Sequence, residues 1–248
     1  MHIDDLPPEL LSQIFQFSLD DLSDQVPDPT LPLYSGRCSL ISQVSKTWNE
    51  IIAPILYGSV RLSSHRQVDS FKSTLTQHVE FGSYLRVLRL QGEGIYILRE
   101  GIDGLIAPNL EELYLSATKT ISFERISTFK KLVRLVLWGI TLEDVPSAPL
   151  KRSSSQNLAL PSLRDLSFCG IKNLETISEL FTPTSLPSIQ HIALAYSPIP
   201  NDNFLSRLPV ETIVVATSEL RRRLLPVAAD TTLYTNRFWL AAILICNA

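Results

Sequence analysis

Leu110-Glu111-Glu112-Leu113-Tyr114-Leu115 and, 22 residues later, Leu132-Val133-Arg134-Leu135-Val136-Leu137 share one spacing: apolar, two variable residues, apolar, one variable, apolar. The spacing recurs as Leu85/Leu88/Leu90 before them, and as Leu163/Leu166/Phe168, Ile189/Ile192/Leu194 and Val210/Ile213/Val215 after them. Tyr57/Val60/Leu62 is a divergent earlier copy. Successive middle residues are separated by 25, 22, 31, 26 and 21 positions. In each copy the last two apolar residues are two apart, so they share one face of a strand while the residue between them points the other way. One short strand cannot bury such a face; stacking it on the next copy builds a continuous core.

The segments between copies read as returning helices. Val68, Phe71, Leu75 and Val79 lie on one helical stripe, as do Leu174, Ile177, Leu180 and Phe181. Strands alternating with such returns predict an α/β fold with a parallel sheet and helices on its outer side. The triplets resemble leucine-rich repeats, whose period is about 20–29 residues. The interval of 31 holds Pro146 to Pro161, rich in Ser and Pro, and predicts an inserted loop over 146–161. Where many such repeats carry a ladder asparagine, this chain has Glu93, Thr118, Ile140, Ile171, Ser197 and Ser218. The resemblance is therefore to irregular repeats rather than to regular horseshoes. Strands of an ordinary α/β sheet could show the same triplets, but six matches favour the repeat.

The first sixty residues read differently. Pro7 and Pro8 precede a stripe of Leu10, Leu11, Ile14 and Phe15. Proline suits a first helical turn, where the N–H groups lack intrahelical partners, and Glu9 complements the helix dipole. Asp20 to Pro32 is acidic and contains proline, which predicts a loop. Cys38–Val44 and Ser45–Tyr57 read as two further helices, the last carrying Trp48, Ile51, Ile52, Ile55 and Leu56. That is more apolar surface than a solvated helix needs.

Leu6-Pro7-Pro8-Glu9-Leu10-Leu11-Ser12-Gln13-Ile14-Phe15, followed by Leu40-Ile41-Ser42-Gln43-Val44-Ser45-Lys46-Thr47-Trp48-Asn49, resembles an F-box. Leu22 to Gly36 stretch the gap between the two blocks, a trait similar to F-box proteins of mushroom-forming fungi. The resemblance covers about fifty residues, and an F-box followed by irregular leucine-rich repeats matches a known family architecture. It implies a three-helix module that docks on a Skp-type adaptor and through it on a cullin. Leu6, Pro7, Leu10, Leu11, Ile14, Val44 and Trp48 fall on the module's hydrophobic signature positions and are the candidate adaptor-binding residues. Pro7 and Leu10 are the foremost contact candidates. The expected domains are 1–62 for the F-box-like module, 63–229 for the repeat array and 230–248 for a tail of unassigned role.

Composition narrows the function classes. The 248 residues are 45% hydrophobic and 19% charged, with a net charge of −3, so no whole-chain electrostatic signal points to nucleic acid or an anionic membrane. Arg221 to Arg223 form the one basic run and lack interleaved aromatics. Cys38, Cys169 and Cys246 are odd in number and far apart, which suits a reducing compartment, cytoplasmic or nuclear. Met1 to Leu11 lack a basic start and apolar run, so no secretory signal is expected. The apolar run Phe238–Cys246 is too short to span a bilayer, and Cys246 is misplaced for prenylation.

No catalytic constellation is visible. His2, His65, His78 and His191 show no metal-ligand spacing, and no P-loop, Gly-x-Ser-x-Gly or Gly-x-Gly-x-x-Gly occurs. Neither enzyme activity nor a cofactor is expected. Binding would then fall to the open face of the repeats, where Arg89, Gln91, Tyr114, Ser116, Val136, Trp138, Ser167, Cys169, Ala193, Ala195, Val214 and Ala216 lie between and after the buried positions. Glu112 and Arg134 flank them. Aromatics and arginine are over-represented at binding hot spots, which singles out Arg89, Tyr114, Arg134 and Trp138 as candidate target-binding residues. A C-terminal tail covering this face, or Trp138 packing against the Pro146–Pro161 insertion, are the competing readings. The sequence thus points to a substrate-recognition subunit of a cullin-type (SCF) ubiquitin ligase with an unidentified target, or to an F-box and repeat scaffold that does not direct ubiquitination.

Overall fold

The computed structural model describes residues 6–20, 44–100, 102–117, 120–143, 159–171, 181–195 and 208–216. Most of the expected second F-box helix, most of the 146–161 loop, the 174–180 part of the second helical stripe and the 230–248 tail lie outside those residues.

Helix α1 spans Pro8–Asp20 and α2 spans Lys46–Gly58. The carbonyl of Pro7 accepts from the N–H groups of Leu10 and Leu11 to open α1. Ser45 caps α2, its hydroxyl accepting from the N–H of Trp48 at 3.2 Å. Leu11, Phe15 and Ile52 form a small core of their own, on which Leu6, Trp48, Ile51, Ile55 and Leu56 pack. The rings of Phe15 and Trp48 meet at 5.0 Å, tilted by 55°.

Helix α2 runs without a linker into strand β1 (Ser59–Leu62), the first strand of a sheet completed by β2 (Val87–Gln91), β3 (Glu112–Ser116), β5 (Arg134–Trp138), β7 (Asp165–Cys169), β8 (His191–Ala195) and β9 (Thr212–Ala216). All pair in parallel and in chain order. The divergent copy Tyr57/Val60/Leu62 supplies the first strand, inside the last residues of the segment expected to form the F-box-like module. Helix α3 (His65–Gln77) and the short α4 (Glu80–Tyr84) return the chain from β1 to β2.

Register places Leu88, Leu113, Leu135, Leu166 and Ile192 in one line across the sheet, and Leu90, Leu115, Leu137, Phe168 and Leu194 in a second. All ten are buried to 1% exposure or less. At about 1.5–3 kcal/mol for each fully buried side chain, these two lines are a main source of the sheet's cohesion. A backbone ladder repeats with them. The carbonyl of Arg86 accepts from the N–H groups of Glu111 and Glu112, that of Glu111 from Val133 and Arg134, and that of Val133 from Arg164 and Asp165. The same forked arrangement continues from Arg164 to Gln190 and His191, and from Gln190 to Glu211 and Thr212. Gly139 and Gly170, just past β5 and β7, hold φ of 62° and 63°, a conformation costly for other residues; each donates its N–H to the end of the following strand.

The returns depart from expectation. Val68, Phe71 and Leu75 of α3 are buried as the stripe predicted, but Val79 lies beyond the helix end and is 76% exposed. Two later returns carry helices too short for a full amphipathic face: α5 (Tyr96–Glu100) and α6 (Phe123–Ser127) have five residues each. A second, two-stranded parallel sheet joins β4 (Thr120–Ser122) to β6 (Thr141–Glu143). Phe181 meets Phe168 edge-on at 5.5 Å and Phe123 at 5.1 Å. Ile140 and Ile171, at two of the positions where an asparagine ladder would run, are fully buried, so apolar contact stands there.

Candidate functional site

Two surfaces gather the residues that the sequence singled out. The first is on α1. Leu11 and Phe15 are four apart and point into the module core, at 1% and 3% exposure. Pro7, Leu10 and Ile14 lie on the other side of the same helix; Leu10 is 46% exposed and Ile14 45%. Val44, before α2, is 60% exposed. The seven signature residues thus divide: Pro7, Leu10, Ile14 and Val44 present apolar surface outward, Leu11 is enclosed, and Leu6 and Trp48 are half-buried against the core. Leu11 belongs to the packing of the module and not to a contact surface, because no side-chain area remains to give a partner.

The second surface is the open face of the sheet. Register aligns Arg61, Arg89, Tyr114, Val136, Ser167, Ala193 and Val214 in one row, and Gln91, Ser116, Trp138, Cys169, Ala195 and Ala216 in the next. Tyr114 pairs with Val136 and Trp138 with Ser116, so the two aromatics sit diagonally on adjacent strands. Trp138 is half-buried, whereas Ser167 and Ala193 of the same face are buried, at 4% and 6% exposure.

Charge on this face is organised at the N-terminal ends of the strands. Arg134 donates to Glu112 at 3.3 Å and to Asp165 at 3.2 Å. Its donors therefore serve the sheet. The hydroxyl of Tyr114 donates to the other oxygen of Glu112 at 2.7 Å. Burial first, then the charge of Glu112 and that hydrogen bond, hold the phenol protonated above its ordinary range. Arg89 lies over the Tyr114 ring, 4.9 Å from its centre, in a cation–π contact. Sequence reading missed two participants. Arg61, in register with Arg89 and hydrogen-bonded to Gln91, could be found by counting back from Leu62. Asp165 gives no signal of its own, since its role comes from lying one strand away from Arg134.

Among the described residues no group of three His, Cys, Asp or Glu side chains could hold a metal ion, and no helix is long and apolar enough to cross a membrane.

Residues 3–63 match the F-box-like family model. The chain thus carries an F-box-like domain, in the segment where α1 and α2 build their own core. F-box domains in general bind Skp-type adaptors, and the domain points to a ubiquitin-ligase adaptor role in general terms. No curated protein matches the chain.

Proposed function

We propose that this protein is the substrate receptor of a cullin-type ubiquitin ligase, its F-box-like module docking on a Skp-type adaptor and its open sheet face holding a target protein. The observation that carries the reading is the outward apolar side of α1: Leu10 and Ile14 are about half exposed within a domain that matches the F-box-like family. Exposed apolar residues on the outward side of a helix lower the free energy when a partner covers them. Pro7, Leu10, Ile14 and Val44 are the proposed adaptor contacts, with Leu6 and Trp48 at the margin and Leu11 holding them in place.

The parallel strands, stacked in chain order with a repeating backbone ladder, support reading 59–216 as an irregular leucine-rich-repeat array. Arg89, Tyr114 and Trp138 on its open face are the proposed target contacts, and Arg134 positions Tyr114 through Glu112. The protein's contribution is proximity, raising the local concentration of a target beside the transfer machinery. No catalysis of its own is proposed, and a cytoplasmic or nuclear setting follows from the role. Resemblance to the F-box proteins of mushroom-forming fungi belongs to the same proposal.

The test is co-purification of the full chain with a Skp-type adaptor and cullin, followed by reconstituted ubiquitination of proteins captured through the repeats. Assembly with both and ubiquitin transfer to a captured protein supports the receptor. Assembly without transfer assigns a scaffold. Absence of adaptor binding refutes the module's role.

A further inference from the structure

The charges of the open face are not equally satisfied. Asp165, Arg134, Glu112, Tyr114 and Arg89 form a chain of contacts, each side chain fixed by the one before it. Arg134 has a carboxylate on either side. Arg89, at the far end, makes no ion pair and no hydrogen bond among the described residues, and its Nε is shielded from solvent without an acceptor. Among the described residues its guanidinium rests on the face of the Tyr114 ring, whose own hydroxyl is committed to Glu112. A guanidinium so placed has a fixed plane and unused donors, which is the arrangement that captures a planar carboxylate with little ordering cost. Arg61 brings a second guanidinium one strand away, hydrogen-bonded to the amide oxygen of Gln91.

We infer that Arg89, laid on the Tyr114 ring, anchors a single carboxylate of an extended acidic segment of the target, and that Trp138 receives an apolar residue three or four positions away on that segment. The inference rests on the open face being the target surface, and deepens it. The spacing follows from the register. Arg89 on β2 and Trp138 on β5 are two strands apart and offset by two residues, a diagonal of about 12 Å, which an extended peptide covers in three to four residues. Val136, Ser167 and Ala193 continue the row of Arg89 and Tyr114 across the neighbouring strands without further charge. A carboxylate fits better than a phosphate, because Glu112 stands on the same ring of Tyr114 and a dianion would be repelled more strongly than a monoanion.

Selection of short random peptides on the full-length protein tests this, followed by fluorescence anisotropy of the enriched peptides. Enriched sequences are expected to share an acidic residue with an apolar one three or four positions from it. Arg89→Gln is expected to weaken them about tenfold or more, and so is replacing the peptide acid by its amide; the two changes together cost little more than either alone. Arg89→Lys, which keeps the charge and loses the fork, should fall between. Enrichment without an acidic residue, full affinity in Arg89→Gln, or additive losses would overturn the inference. Tighter binding when phosphoserine replaces the acid would also overturn it, in favour of a dianion site. Peptides that lose affinity in Trp138→Ala but ignore Arg89 would leave the target face standing and defeat only the carboxylate anchor. If no peptide is enriched, the anchor is refuted while adaptor binding is unaffected.

Discussion

Leu10→Asp separates the proposed adaptor surface from the core that supports it. Leu10 is 46% exposed and outside the cluster of Leu11, Phe15 and Ile52. Covering the rest of its side chain with a partner would contribute about 0.7–1.4 kcal/mol, roughly half of what full burial of a leucine yields. Leu10→Ala should therefore weaken the adaptor about three- to tenfold. Leu10→Asp adds the desolvation of a carboxylate in an apolar contact, several kcal/mol, for a loss of about 100-fold or more. Neither change opens a cavity, so the unfolding free energy should move by no more than a surface substitution allows, about 0.5 kcal/mol. Leu11→Ala is the opposite case, since removing an enclosed side chain costs about 2–5 kcal/mol of folding stability. Titration calorimetry against a purified Skp-type adaptor and thermal unfolding of each variant read the two quantities. A Leu10→Asp protein that is folded and binds within a factor of three of the wild type would remove Leu10 from the interface and sink the argument from exposure.

Trp138→Ala should weaken capture of a target identified by pull-down about 30-fold while adaptor affinity stays unchanged; a lowered melting temperature with target affinity intact would assign Trp138 to the fold. Leu135→Ala, at the middle of the stacked line, should cost about 2–5 kcal/mol in denaturant unfolding, and a loss below 1 kcal/mol would mean the line is not a core. Gly94→Ala should destabilise strongly, because a β-carbon there would run into the carbonyl of Leu62; wild-type unfolding would contradict that close approach. The raised pKa of Tyr114 means that the fold favours the neutral phenol, so its contribution is complete below the ordinary value of 10.0 and is lost as pH climbs toward the raised one. Stability should fall as pH rises above 10.0, and less so in Tyr114→Phe; an identical alkaline decline in both proteins would exclude Tyr114 as its source.

The triplet spacing marked the inward residues, and its alternation with returning segments predicted a parallel sheet. Leu88, Leu113, Leu135, Leu166 and Ile192 are the same residues in the sequence pattern and in the stacked line, because a side-chain period of two leaves no other face to bury. The paired blocks at 6–15 and 40–49 likewise marked the F-box-like segment. Which signature residues point outward was settled only by packing, since Leu10 and Leu11 are chemically identical neighbours and the position of α2 decides which is covered. Among the described returns, α3 was the one legible as a helix, because one-turn helices and the β4–β6 pair are too short to show a period. The availability of Arg89 and the commitment of Arg134 were also invisible in the sequence. Both are arginines at alternating positions, and their difference arises from Glu112 and Asp165, brought beside one of them by strand pairing across 22 and 31 residues.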